Sequence, residues 1–202
     1  MSTLPTATHS RAAIKLRSDV RQWLLDATPA VTEHTAHYAV TLTFDINRMY
    51  AMTPSGELAH DAKIAWAKRA FAKFRRRLDH AILGNAASRF NRELTYIPMI
   101  EGQGAKQQLH YHCVIVTPAR VSTQQLAAEA KRAWMQTGIG GHQIDVQPMY
   151  DTGWLSYIAK EAWTVKRETV DFDTPAWRAM SRIVALVRPL MPAASSQVIG
   201  TF

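Results

Sequence analysis

Two histidines in the stretch Leu109-His110-Tyr111-His112-Cys113-Val114-Ile115-Val116-Thr117 constrain this chain more than any other feature. An apolar, β-branched run bounded by Pro118 predicts a strand over 109–117. Strand side chains alternate, so His110 and His112 share one face, while Tyr111 and Cys113 point to the other. Two neutral imidazoles held on one rigid face are half of a metal site.

A third ligand is expected from the strand before. The residues 94–101 predict that strand, and 102–108 form a short turn, so Glu101 lies beside His110. Gln103 and Gln108 are alternatives. Two imidazoles and one carboxylate leave open positions for water and substrate oxygens. Mg²⁺ prefers oxygen donors and Mn²⁺ accepts imidazole, so either ion suits the set.

The remaining elements follow from periodicity. An amphipathic helix is predicted over 10–26, with Ile14, Val20, Trp23 and Leu24 apolar, and a strand over 37–45. The residues 47–57 read as a loop. Over 60–83, Ile64, Ala67, Phe71, Phe74, Leu78 and Ile82 recur at three- and four-residue intervals, which predicts a long helix ending before Gly84. A second helix spans 122–136, with Ser122 as its cap and Gln125 three residues on. A strand follows over 142–148, then helices over 152–164 and 175–190. Strand, helix, strand, strand, helix, strand is the order of an α+β, ferredoxin-like (RRM-like) antiparallel sheet with helices on one face. In that topology the first and third strands are central, so the histidine strand lies mid-sheet. The expected organisation is an N-terminal extension with an amphipathic helix (1–34), a catalytic domain (35–165), and a C-terminal helix and tail (166–202).

The chain has 202 residues and a formal net charge of +8. Excess positive charge favours an acidic partner, most commonly nucleic acid. The charge is clustered: Lys63, Lys68, Arg69, Lys73, Arg75, Arg76, Arg77, Arg89 and Arg92 stand against Asp61 and Asp79 between His60 and Arg92. That imbalance points to a phosphate-contacting surface rather than a merely solvated helix face. The single cysteine excludes an intrachain disulfide. No apolar run is long enough to span a bilayer, and 1–11 lacks the apolar stretch of a signal peptide, so the cytoplasm is the expected compartment.

Downstream, Tyr157 and Lys160 are one helical turn apart and share a face. A free phenol is a poor nucleophile at neutral pH, so it needs a neighbouring cation. A divalent ion that polarises a phosphate and Lys160 that offsets charge would supply that help. Tyr150, in a loop seven residues earlier, is the competitor. Tyr111 is disfavoured because it faces away from the histidines.

Together these residues resemble the HUH endonucleases, and within them the rolling-circle replication initiators (Rep proteins) with one catalytic tyrosine. Tyr38-Ala39-Val40-Thr41-Leu42-Thr43-Phe44 is similar to the Thr-rich first Rep strand. Leu109 to Ile115 resembles the His-hydrophobe-His motif, and Tyr157-Ile158-Ala159-Lys160 the Tyr-x-x-Lys motif. The resemblance implies a metal-dependent, sequence-specific nick in single-stranded DNA at an origin or hairpin. It implies a covalent 5′-phosphotyrosine and a free 3′-hydroxyl that primes synthesis. His110, His112 and Glu101 would be the ligands, Tyr157 the nucleophile and Lys160 its assistant. There is no phosphate-binding Gly-Lys-Thr loop, so unwinding and synthesis would fall to a host helicase and polymerase. Conjugative relaxases place the tyrosine near the N-terminus. Transposases of the superfamily share the order seen here and are the nearer rival. A third reading, a non-catalytic RRM-like nucleic-acid-binding regulator, would need base-stacking aromatics where this strand carries histidines.

Overall fold

The fold is built on one four-stranded antiparallel sheet in the order β2-β3-β1-β4. In the computed structural model, residues 11–52, 60–102, 108–151 and 153–158 are described. The strands are β1 (Thr35–Phe44), β2 (Thr95–Glu101), β3 (His110–Pro118) and β4 (Gly140–Pro148). The helices are α1 (Arg11–Ala27), α2 (Ile46–Ala51), α3 (His60–Leu83), α4 (Asn85–Phe90), α5 (Thr123–Met135) and α6 (Gly153–Ile158). This is the ferredoxin-like α+β arrangement, with β1 and β3 central. Pro98, which has no N–H to give to a ladder, falls on β2 at the sheet edge, where a missing donor is tolerated.

One face of the sheet carries the main core. Tyr38, Val40, Leu42, Tyr111, Cys113 and Ile115 from the central strands pack with Phe71, Phe74 and Leu78 of α3 and Leu126, Ala130 and Trp134 of α5. The apolar stripe expected of the long helix is the one that is buried, and α3 ends at Leu83 as its periodicity predicts. Ser122 caps α5, its hydroxyl accepting from the Gln125 N–H at 3.1 Å.

The second face is not bare. Ile97, Met99, Val114 and Val116 pack against Val20, Trp23, Leu24 and Ala27 of α1, and Leu155 of α6 joins them. The crossover helices α3 and α5 therefore share one side, and α1 and α6 lie on the other. Arg21 of α1 donates from Nε to the Ser156 hydroxyl at 2.8 Å, tying α1 to α6.

Two short helices depart from the expected pattern. The loop predicted from 47 onward begins instead with α2, because the Asp45 carboxylate accepts from the Arg48 N–H at 3.2 Å and caps a single turn-and-a-half. After Gly84, with φ of 58°, the chain forms α4 and stops at Asn91 in the left-handed region. The predicted helix over 175–190 lies outside the described residues, as does the continuation of α6 beyond Ile158.

A buried polar knot fastens α3 to β2. Asp79 accepts from the Leu94 N–H at 2.9 Å and from the Tyr96 hydroxyl at 2.8 Å. Burial nevertheless raises its carboxyl pKa to about 6, the two hydrogen bonds and Arg75 only partly offsetting the desolvation. Arg75 is buried as well, paired with Glu93 at 3.5 Å and lying 5.5 Å from the Tyr96 ring centroid.

Candidate metal centre

The register brings the expected ligands together. Glu101 pairs with His110 across β2 and β3, and Thr43 and Thr41 of β1 pair with His110 and His112 from the other side. Directly opposed residues of an antiparallel pair point the same way. Glu101, His110, His112, Thr41 and Thr43 thus occupy one patch on the α1 and α6 side of the sheet.

Within that patch the donor atoms converge. His110 Nε2 and His112 Nε2 are 3.1 Å apart, and one Glu101 oxygen lies 3.7 Å from the first and 3.6 Å from the second. Donor–metal bonds of about 2.1 Å would set donors about 3.0 Å apart at right angles and about 3.4 Å apart at tetrahedral angles. The three separations fit three ligands on one side of a single ion. Glu101, His110 and His112 are also the one such group of His, Cys, Asp and Glu among the described residues.

The surrounding atoms orient the imidazoles for this task. The Gln108 carbonyl, which can only accept, lies 2.8 Å from His110 Nδ1. The proton therefore sits on Nδ1, and Nε2 presents its lone pair inward. Thr41 Oγ1 is 3.0 Å from His112 Nδ1 and holds that ring in the same sense. Two lone pairs at this distance, beside a carboxylate, concentrate negative potential at one point. A cation resolves it.

Gly102 lets the Gln108 carbonyl reach the ring. Its φ is 72°, and a Cβ there would stand 1.9 Å from the Gln108 carbonyl oxygen. Only glycine allows the hairpin to close so tightly after Glu101.

The tyrosines separate by position. Tyr157 is 47% exposed, and its ring centroid is 5.3 Å from that of His112. Trp154 stacks on Tyr157 at 5.1 Å and meets His112 edge-on at 5.0 Å, wedging the tyrosine beside the site. Tyr150 is 89% exposed, with no ring contact to the ligands among the described residues. Tyr111 is buried on the opposite face against Phe71, 4.6 Å between centroids. Lys160 and Gln103 lie outside the described residues. Gln108 serves through its main-chain oxygen.

Thr41 and Trp154 are contributors that the sequence patterns do not single out. Trp154 precedes Tyr157 by three residues, and that helical spacing is the one signal that could have flagged it. The predicted basic surface is divided. Arg69, Lys73, Arg76 and Arg77 are exposed, Lys63 and Lys68 are half-buried, and desolvation lowers the Lys63 pKa. Arg75 does not share that surface, because it turns inward to Glu93 and Tyr96.

Among the described residues no helix is long and apolar enough to cross a membrane. Neither a curated protein nor a solved structure matches the chain. The profile of a family described as Replication-associated protein ORF2 matches residues 37–163, from the first strand through the tyrosine helix. That match spans well over half of the sequence, and it includes a metal-ready histidine pair on the third strand of a ferredoxin-like sheet. The chain therefore belongs to the Replication-associated protein ORF2 family, consistent with a rolling-circle Rep initiator of the HUH type.

Proposed function

We propose that this protein is a metal-dependent endonuclease that nicks single-stranded DNA at an origin or hairpin and so initiates rolling-circle replication of a plasmid, phage or similar element. The observation that carries the reading is Tyr157 standing beside His112 on the ligand face. In the reaction the Tyr157 phenol oxygen bonds to phosphorus while the bond from phosphorus to the 3′-oxygen breaks. The phenol proton is lost to solvent or a base, and the departing 3′-oxygen takes one up. The products are a 5′-phosphotyrosine and a 3′-hydroxyl that primes synthesis. A bound Mn²⁺ or Mg²⁺ would supply Lewis-acid polarisation of the phosphate.

The chain's own residues do the positioning. Glu101, His110 and His112 hold the ion, while Gln108 and Thr41 fix the two rings. Trp154 stacks against Tyr157 and limits its swing. Lys160, one turn after Tyr157, offsets developing charge on the phosphate. The exposed cations Arg69, Lys73, Arg76 and Arg77, with Lys63 and Lys68, contact DNA phosphates. The endonuclease unit is 35–165, flanked by an N-terminal extension (1–34) and a C-terminal helix and tail (166–202). With no helicase motif in the sequence, a host helicase and polymerase act with it in the cytoplasm.

A transposase using the same nicking and joining chemistry is the alternative enzyme reading. The non-catalytic RRM-like regulator is disfavoured by α1, which covers much of the sheet face that such modules offer to bases.

The test is adduct trapping. The protein, with Mn²⁺, is mixed with single-stranded DNA spanning the neighbourhood of its own gene, and the product is analysed by mass spectrometry after digestion. An oligonucleotide attached by its 5′-phosphate to the peptide containing Tyr157 is the expected result. No adduct, together with tight DNA binding, would favour the regulator.

A further inference from the structure

The exposed side of α3 carries Arg69, Lys73, Arg76, Arg77 and His80 at intervals of three and four residues. This spacing lines them along one stripe roughly 16 Å long. Among the described residues no carboxylate pairs with any of them. At its C-terminal end the stripe meets α5, where Arg76, Arg77 and His80 face Arg132, Glu129 and Gln136 across a groove of about 440 Å³. Glu129 is the one carboxylate in the groove, and Arg132 already pairs with it.

This groove is on the wrong side of the molecule to serve the metal centre. Helices α3 and α5 cover the core face of the sheet, whereas Glu101, His110, His112 and Tyr157 belong to the other face. A sheet and a helix layer, each about 10 Å thick, lie between. A phosphate at the ligand patch and a phosphate in the groove therefore belong to different segments of nucleic acid.

The lining says which kind of segment. Sites for single strands combine cations with aromatic platforms on which bases stack. The groove offers arginines, a histidine, alanines, a glutamate and a glutamine, but no Phe, Tyr or Trp. Planar guanidinium groups without a stacking surface match phosphate oxygens presented by a regular backbone. We infer that the α3–α5 groove is a second DNA site, which grips the phosphate backbone of a duplex while the opposite face handles the strand to be cut.

This inference stands beside the nicking reading and does not need it. Binding of the full chain is measured by fluorescence anisotropy over a range of salt, with a short mixed-sequence duplex and its unpaired single strand as probes. For the combined variant Arg77→Ala, Arg132→Ala, duplex affinity should fall at least tenfold. The salt dependence should flatten by about 0.9 log unit per log unit of salt for each phosphate that the variant no longer neutralises. Single-strand affinity should change less than threefold, and the melting temperature should stay within a degree or two, since both side chains are exposed. Glu129→Gln, which removes the groove's one negative charge, should tighten the duplex and leave the single strand alone. Equal reductions for both probes, or an unchanged duplex affinity, would overturn the duplex assignment. A wild type that forms no adduct, yet binds duplex in a manner that depends on the two arginines, would instead defeat the nicking reading alone.

Discussion

Tyr157 and His112 stand 5.3 Å apart, ring centroid to ring centroid, with their planes inclined at 72°. An edge-on contact of this kind keeps the phenol oxygen at the rim of the ligand patch instead of burying it. For Tyr157→Phe, the ring contacts with Trp154 and His112 should persist while the only nucleophilic atom is gone. Metal and DNA binding should stay within about threefold, and the covalent adduct should vanish from gels and mass spectra. Tyr150→Phe should nick at close to the wild-type rate. An adduct formed by Tyr157→Phe but absent in Tyr150→Phe would move the nucleophile to the earlier residue.

Metal affinity should depend on atoms that never touch the ion. Thr41→Val removes the partner of His112 Nδ1 at unchanged shape, and a decrease of about 10–100-fold in Mn²⁺ affinity is expected by calorimetry. Gly102→Ala should do the same from the other ring, since its Cβ displaces the Gln108 carbonyl that orients His110. The paired substitution His110→Ala, His112→Ala, or excess EDTA, should abolish cleavage outright. Cleavage that survives EDTA would remove the metal from the reaction.

Asp79 sets a pH dependence of stability that is separable from activity. Its folded pKa, about 6, lies above the ordinary value of 3.8. The folded state therefore holds the proton more tightly than the unfolded chain. Its contribution is most favourable below about pH 4 and is lost as pH rises through 6. Asp79→Asn keeps an oxygen for Leu94 and Tyr96 and abolishes the charge. The variant should be more stable than wild type at pH 8, by on the order of 2 kcal/mol, with the gap closing between pH 6 and 4. Denaturant midpoints at several pH values would show this, and a gap that does not change with pH would refute it.

Legibility in the residues alone depends on how local the cause is. The bounds of α3 follow from an apolar period that runs unbroken through its 24 residues. Glu101 falls beside His110 because the connecting hairpin is short, so strand register has little freedom. Helix α2 escapes prediction because six residues are too few for a period, and the Asp45 cap is its sole signal. Thr41 cannot be assigned to His112 without the pairing of two strands, since the residues are 71 positions apart. The amphipathic pattern of α1 announces a buried face but not the layer it buries against, and it lies over the sheet face that carries the ligands. Arg75 looks like its neighbours Arg76 and Arg77 until the turn of the helix points it at Glu93.

The Arg21–Ser156 bond joins residues 135 positions apart, whereas the ligand hairpin from Glu101 to His112 is nearly local. Contacts of such different span form in order: the hairpin early, the α1–α6 junction after most of the chain is in place. The metal half of the site is therefore assembled before the tyrosine half. The later junction is also the easier one to open, because it rests on one hydrogen bond and a small apolar cluster. Hydrogen exchange should show α1 and α6 opening together at lower free energy than β1 and β3, with the ligands held throughout. The strand-cutting residue thus sits on a latch, and the ion on the frame.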